Sequence, residues 1–267
     1  MDYIKTNKLA WEEAFDNRKQ GWGDDNHIKL KSEKFAFFDS DLKNEIAGMD
    51  LKGKTVAQFC CNNGRELLSL VLDSGAESGT GFDIAENILN QAKETAEKAG
   101  IMNCEFANCN ILEIPESYYG KFDFIYFTIG AIVWFQDLNL LFEKAGKCLK
   151  AGGTLLINDG HPFMFMLPHP GEDEFDENNL KKIAYSYFRK EPWLGNQMGY
   201  IAGDYENKAT TFTDYSHTLS DIINALSANG MKTVKLNEFD YDIGNIGSDI
   251  YDGKGIPLSY ILIAEKA

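Results

Sequence analysis

Between Lys54 and Asp159 short apolar runs alternate with amphipathic stretches, and this rhythm constrains the fold more than any other feature of the chain. Apolar runs bounded by turn residues, each followed by a stretch of helical period, mark βα units laid on a mostly parallel sheet. "KTVAQFCC" reads as the first strand and "GRELLSLVLDSG" as the helix after it, stopped by Gly75, because glycine takes the left-handed cap of a helix end without strain. "GTGFD" closes a second strand, and "AENILNQAKETAEKAG" is a helix that ends at Gly100. "CEFANCN", "KFDFIYFTI" and "GGTLLIND" supply three more strands, with "LNLLFEKAGKCLKAGG" as the helix before the last.

The two ends of the chain behave differently. Residues 1–52 mix charges with aromatic residues (Tyr3, Trp11, Phe15, Trp22, Phe35, Phe37, Phe38) and read as a helical cap segment laid over the rim. Residues 164–217 interrupt the βα rhythm, and an interruption of that size inside a compact domain is usually functional. Within it "GEDEFDEN" reads as a solvated loop, while "IAYSYFRK" and "ATTFTDYSH" alternate enough to form short antiparallel strands. The helix "LSDIINALSANG" and the strands "MKTVKLNEFDYDI" and "IPLSYILIAEKA" return to the core. The expected fold is therefore α/β, a doubly wound, Rossmann-like, mostly parallel seven-stranded sheet with an antiparallel C-terminal strand. Its core comprises residues 53–163 and 218–267, and residues 164–217 form a substrate cap.

Charge narrows the partners. With 26 basic against 41 acidic residues the net charge is -15, which repels a phosphate backbone and an anionic membrane surface alike. No nucleic acid and no membrane partner is expected. The start "MDYIKTNKLAW" lacks the basic-then-apolar layout of a signal peptide, so a cytoplasmic location is expected. Cys60, Cys61, Cys104, Cys109 and Cys148 are odd in number and carry no zinc spacing; they read as buried thiols in a reducing compartment, and no metal is expected.

In an open α/β sheet the ligand sits at the carboxyl ends of the strands, where the strand order reverses. The first strand-to-helix turn, "CCNNG", is therefore the place to look, and nineteen residues after Gly64 an acid, Asp83, closes the second strand. An acid at that distance suits a hold on the two hydroxyls of a ribose, although an N-cap of the following helix is the plain alternative. A pyrophosphate needs glycine at the middle of the turn, where this chain has Asn62 and Asn63. Asparagine tolerates positive φ, so both can carry the turn. A ligand with a nucleoside at one end and an amino acid at the other needs only one tight turn and a few N–H donors, and S-adenosylmethionine is such a ligand.

From Thr55 to Phe163 the chain resembles the core of a class I S-adenosylmethionine-dependent methyltransferase, in a subgroup whose first loop has a Cys-x-x-Gly pattern. The resemblance rests on the order and spacing of "CCNNGRELLSL", "GFDIAENIL", "FANCNILEIP", "FDFIYFTIGAIVWFQDL" and "LKAGGTLLINDGHPF". It implies a cofactor site in which Cys61, Asn62 and Gly64 border the methionine half, with Phe59 and Cys60 beside them. By the same resemblance Asp83 binds ribose, Asn110 with Ile111 brackets the adenine, Ile84 packs on the base, and Thr128 and Ile129 lie under the methionine chain. It also implies that an antiparallel strand lies at the sheet edge, a place that "IPLSYILIAEKA" suits.

Methyl transfer from a sulfonium is an in-line displacement with a neutral leaving group, S-adenosyl-L-homocysteine, so alignment and desolvation carry much of it and a general base is optional. If a base is used, His161 directly after the fifth strand is the candidate, and it can equally contact substrate or hold a turn with Pro162. Trp134 can line the pocket through its π face. Tyr185, Tyr187, Phe188, Trp193, Tyr200 and Tyr205 suit an enclosed pocket for a small, partly apolar acceptor, with Tyr187 taken as a substrate contact. Two alternatives stay open: a nicotinamide-dependent oxidoreductase on the same layout, and a non-catalytic S-adenosylmethionine-binding module.

Overall fold

The computed structural model describes residues 2–244 and 249–267. In chain order it runs α1 (Tyr3–Asp16), α2 (Asn26–Ser32), α3 (Ser40–Ala47), β1 (Thr55–Phe59), α4 (Arg65–Ser74), β2 (Ser78–Asp83), α5 (Glu86–Ala99), β3 (Cys104–Asn108), β4 (Phe122–Thr128), α6 (Leu138–Cys148), β5 (Leu149–Gly160), β6 (Trp193–Gly195), α7 (Gly199–Ala202), β7 (Phe212–Asp214), α8 (Leu219–Ala228), β8 (Met231–Phe239) and β9 (Ser259–Lys266). Seven of these strands form one sheet in the order β3-β2-β1-β4-β5-β9-β8. β1 pairs in parallel with β2 on one side and β4 on the other, so the strand order reverses at β1 and opens a crevice at its carboxyl end.

Both faces of the sheet are covered, as the continuous apolar strands require. On one face Ala57, Phe59, Ile125, Phe127, Leu155 and Ile157 pack under Leu141 and Phe142 of α6 and Ile222 and Leu226 of α8. On the other, Val56, Phe124, Tyr126 and Leu156 meet Leu67, Leu70 and Val71 of α4 and Phe38, Leu42 and Ile46 of the N-terminal segment. α3 is thus a core helix rather than a rim element. Its N-cap Asp39 accepts from the amides of Asp41 and Leu42 and from Asn158 Nδ2 at 3.2 Å, which ties the helix start to the end of β5.

Three sequence expectations need correction. β9 lies inside the sheet, antiparallel to β5 and β8, and β8 is the edge. The reason is polarity: "SYILIA" is buried on both faces whereas in "MKTVKLNEF" only Met231 is buried, and lysine-bearing strands suit an edge. β5 begins at Leu149, straight after α6, with a register shift between Phe122 and Phe124 of its partner. In the insertion "ATTFTDYSH" does supply β7, but its partner β6 is Trp193–Gly195, not "IAYSYFRK".

β2 carries Gly79 and Gly81 where α4 and Phe106 lie directly against the sheet. A Cβ on Gly81 would stand 2.7 Å from Phe106 Cδ1 and 2.8 Å from Cys61 Sγ. Gly81→Ala is expected to cost about 1–3 kcal/mol through overpacking, read as a lower urea midpoint with an unchanged slope.

Candidate active site

At the carboxyl end of β1 the chain turns through three left-handed residues, Cys60 (φ 56°), Asn62 (φ 50°) and Gly64 (φ 68°). Asn63 does not take this conformation, so only Asn62 of the pair carries the turn and Cys60 shares the work. Positive φ at a cysteine is strained and persists only where its surroundings fix it. Here they do: the Cys61 amide donates to Phe82 O at 2.9 Å and the Gly64 amide to Cys61 O at 2.8 Å. A Cβ at Gly64 would sit 2.4 Å from Phe106 Cε1, so this position must be glycine for space as well as for φ.

Asp83 joins three strand ends. Its Oδ2 accepts from the Asn62 amide at 2.8 Å and its Oδ1 from the Ala85 amide at 3.0 Å. Its carbonyl accepts from the Cys109 amide at 2.9 Å and from Asn108 Nδ2, which also donates to Ile84 O. Burial raises its pKa and the amides oppose the rise. Asp83 is not the N-cap of α5, which is Ala85; the carboxylate instead closes a local turn and reaches across to the loop. Asn63 braces the loop from behind through Gln91, whose Nε2 donates to Trp22 O. The amides of Asn62, Asn63 and Gly64 are all taken up within this joint, so the donors open to a ligand are those of the first turn of α4, which no side chain caps.

Other predicted residues fall into distinct places. The Phe59 ring is core, against Phe82 and Phe127. The Cys61 side chain is buried, and burial pushes its thiol pKa well up, which makes it inert. Ile111 is buried, and Asn110 caps the turn it begins by accepting from the Leu112 amide. Thr128 accepts from Gln58 Nε2 at 2.7 Å inside the sheet, whereas Ile129 after it is exposed. Arg65 pairs with Glu66 at 2.8 Å and lies over the Phe37 ring, and its charge also reaches Tyr200 over the loop.

His161 does not offer a base. Its Nδ1 accepts from the Phe163 amide at 3.0 Å, which leaves Nε2–H to donate to Glu238 at 2.8 Å. Both ring nitrogens are engaged, and burial lowers its pKa against the opposing pull of Glu238. Tyr187 accepts from the Leu219 amide at 3.1 Å and braces the start of α8. Trp134 meets Trp11 and Phe212 at ring-centroid distances of 5.3 and 5.8 Å, and Trp11 in turn meets Tyr200. Asn62 Nδ2 lies 3.4 Å from the Tyr200 hydroxyl, so an aromatic cluster from α1, the insertion and the chain after β4 stands over the loop.

The sequence pattern did not single out Asp159, at the end of β5. Its Oδ1 accepts from the amides of Gly130 (2.6 Å) and Gly160 (2.7 Å), while Oδ2 is buried and has no partner among the described residues. Burial pushes its carboxyl up to about 6, although the Gly130, Gly160, Ile132 and Ala131 amides pull the other way. Its charge and that of Asp83 both reach the Cys60 thiol, which places Asp159 beside the loop. A polar residue at the end of an apolar strand was the available signal. A larger cleft of about 340 Å³ lies at the opposite, amino ends of the strands, against Lys54, Asp123 and Gly152; Asp123 there is committed to Thr55 and Lys150, so the converging groups at the carboxyl ends define the site. Among the described residues no His, Cys, Asp and Glu group could hold a metal, and no helix is long and apolar enough to cross a membrane.

A methyltransferase-domain family matches residues 50–231. An uncharacterised protein of Haemophilus influenzae is 28% identical over 150 residues, 53% of this chain and 56% of that protein. A demethylmenaquinone methyltransferase of Listeria welshimeri is 29% identical over 110 residues, 40% of this chain and 45% of that enzyme. The chain thus spans about half the length of these curated relatives. An S-adenosylmethionine-dependent methyltransferase structure from Listeria monocytogenes superimposes with a TM-score of 0.63 at 18% identity, over 84% of this chain and 97% of that one. Geranyl diphosphate C-methyltransferase from Streptomyces coelicolor does so with a TM-score of 0.64 at 12% identity, over 100% of this chain and 98% of that one.

Asp159 makes stability depend on pH with a definite sign. Its folded pKa of about 6 lies above the ordinary 3.8, so its contribution is fully present below 3.8 and is lost as pH rises through 6. At about 1.4 kcal/mol per tenfold change in proton affinity, the loss approaches about 3 kcal/mol. Asp159→Asn keeps an acceptor for Gly130 and Gly160, and thermal melts should show it gaining on the wild type between about pH 4 and pH 6, with no further gain above that.

Proposed function

We propose that this chain, which belongs to the methyltransferase-domain family and has the fold of an S-adenosylmethionine-dependent methyltransferase, transfers a methyl group to a small-molecule acceptor by in-line displacement. The observation that carries the reading is the joint at the strand reversal, where the Asp83 carboxylate and the uncapped start of α4 lie side by side. The Asp83 oxygens accept from the Asn62 and Ala85 amides, with the Ile84 amide also acting on the carboxylate, and their remaining lone pairs suit two adjacent hydroxyls, as on a ribose. The first turn of α4 offers amides and a partial positive charge to a carboxylate. These residues fit a nucleoside joined to an amino acid.

When bound, S-adenosylmethionine supplies an electrophilic methyl on a sulfonium whose sulfur leaves as a neutral thioether. The work of the chain is to align and dehydrate. Cys60, Asn62 and Gly64 shape the methionine end, Thr128 and Ile129 close it from β4, and Ile84, Asn110 and Ile111 flank the base. Cys61 and Phe59 support this loop from the core. His161 is a positioning residue that fixes the turn after β5, and Tyr187 braces α8.

Of residues 1–52, α1 acts with residues 164–217 as one cap, whereas α3 packs into the core of residues 53–163 and 218–267. Support comes from α1, where Asn7 exchanges two hydrogen bonds of 2.7 Å with Thr213 in the insertion and Asn207 donates to Ala10 O. The aromatic cluster of Trp11, Trp134, Tyr200 and Phe212 gives that cap an apolar inner surface, suited to a small, partly apolar acceptor. The similar enzymes named for geranyl diphosphate and demethylmenaquinone favour such an acceptor.

Isothermal titration checks the reading. The wild type should bind S-adenosylhomocysteine and give no heat with NAD, and Asp83→Ala should weaken binding at least about tenfold. A melting scan of that variant separates lost affinity from lost folding. Binding of NAD without S-adenosylhomocysteine would overturn the assignment in favour of an oxidoreductase.

A further inference from the structure

Resting on the methyltransferase reading, a second set of groups bears on the acceptor. β5 and β9 pair with Asp159 directly opposite Tyr260. Asp159 is 2% exposed and Tyr260 is fully buried, yet among the described residues Asp159 Oδ2 and Tyr260 Oη have no hydrogen-bond partner. Leaving two buried polar atoms unpaired is costly, and native structures keep such groups where a ligand or a water completes them. Both residues line one cavity of about 10 Å³, together with His217 and the apolar side chains of Ile132, Val133, Pro162, Phe165 and Ile222. That volume is about one water-sized group.

The two orphans are chemically opposite. A carboxylate oxygen can only accept, and the tyrosine hydroxyl, with a pKa pushed well up by burial and by Asp159, stays protonated and can donate. A single group that donates to one and accepts from the other satisfies both, and a hydroxyl does this. An ammonium has no lone pair for Tyr260, and the ring-delocalised lone pair of a neutral aryl amine accepts more weakly than a hydroxyl oxygen. His217 does not compete for Asp159: its Nε2 donates to Phe135 O at 2.9 Å, and burial favours the neutral ring. The amides of Gly130, Gly160, Ile132 and Ala131 face the carboxylate, and the charges nearest it are those that Cys60 and Tyr260 would carry if ionised, both kept protonated by burial.

We infer that this cavity receives the hydroxyl of the methyl acceptor, with Tyr260 Oη donating to its oxygen and Asp159 Oδ2 taking its proton, so that the reaction is an O-methylation. The acceptor's O–H bond breaks, its proton goes to the Asp159 carboxylate and its electron pair stays on oxygen. That oxygen forms the new C–O bond as the methyl carbon–sulfur bond breaks, and the pair of the broken bond leaves on sulfur. Charge balances: carboxylate and sulfonium become carboxylic acid and thioether, and the acid later returns its proton to water. The acceptor class is an alcohol or phenol, of which only the hydroxyl enters the one-water cavity that Val133, Phe165 and Ile222 help to line.

Phenol, aniline and toluene, titrated into protein saturated with S-adenosylhomocysteine and followed by saturation-transfer NMR, test this. Phenol should bind the wild type at least about tenfold more tightly than toluene, and Tyr260→Phe and Asp159→Asn should each remove that advantage. Both variants should keep their S-adenosylhomocysteine affinity within about twofold. Phenol no better than toluene in the wild type would mean that the two orphans hold a structural water, and the inference would fall. An advantage that survives in both variants would also overturn it, and aniline matching phenol would overturn the choice of a hydroxyl. No S-adenosylhomocysteine binding by the wild type would remove the methyltransferase reading itself, and this inference with it.

Discussion

The bond from the Asn62 amide to the Asp83 carboxylate is the constraint on which the site depends. It spans the carboxyl ends of β1 and β2 and holds the loop in a conformation that Cys60 and Asn62 would not adopt alone. The carboxylate is held above its ordinary pKa by burial, so the same interaction is a cost that its amide donors offset in part. Sites of this kind tend to store strain and unfavourable burial where chemistry needs them. The rest of the fold supplies the rigidity: glycines at 79 and 81 bring α4 and Phe106 onto β2, and Phe106 in turn leaves room only for glycine at position 64.

A second polar centre sits across the crevice. Asp159 binds the turn after β4 with one oxygen, the other has no hydrogen-bond partner among the described residues, and Tyr260 stands opposite it on β9. The order β5-β9-β8 makes this possible, because an antiparallel strand inside the sheet delivers a side chain from the far end of the chain to the end of β5. Had β9 been the edge strand, Tyr260 would lie a strand further away. The exchange of β8 and β9 therefore decides which side chain stands opposite Asp159.

Much of this was legible in the sequence. The βα rhythm, the helix stops at Gly75 and Gly100, and the acid at position 83 are local signals, and local signals survive without tertiary context. What misled was also local. His161 occupies the position expected of a base, but its two nitrogens are consumed by Phe163 and Glu238, and Glu238 is brought there only by β8. Tyr187 looks like a pocket residue and instead braces a helix start. Asn63 looks as able as Asn62 to turn the loop, yet Cys60 shares that role.

The sequence by itself determined the class of sheet, the place of the crevice and the residue that closes β2, because each follows from apolar period and from the few residues that tolerate a tight turn. The tertiary structure decided which polar groups are spent and which are free. Asp159, Tyr260 and Glu238 acquire their roles from partners far away along the chain. Hydrogen bonding saturates: a group's chemistry depends on the lone pairs and protons that its neighbours leave to it, and those neighbours are chosen by strand order.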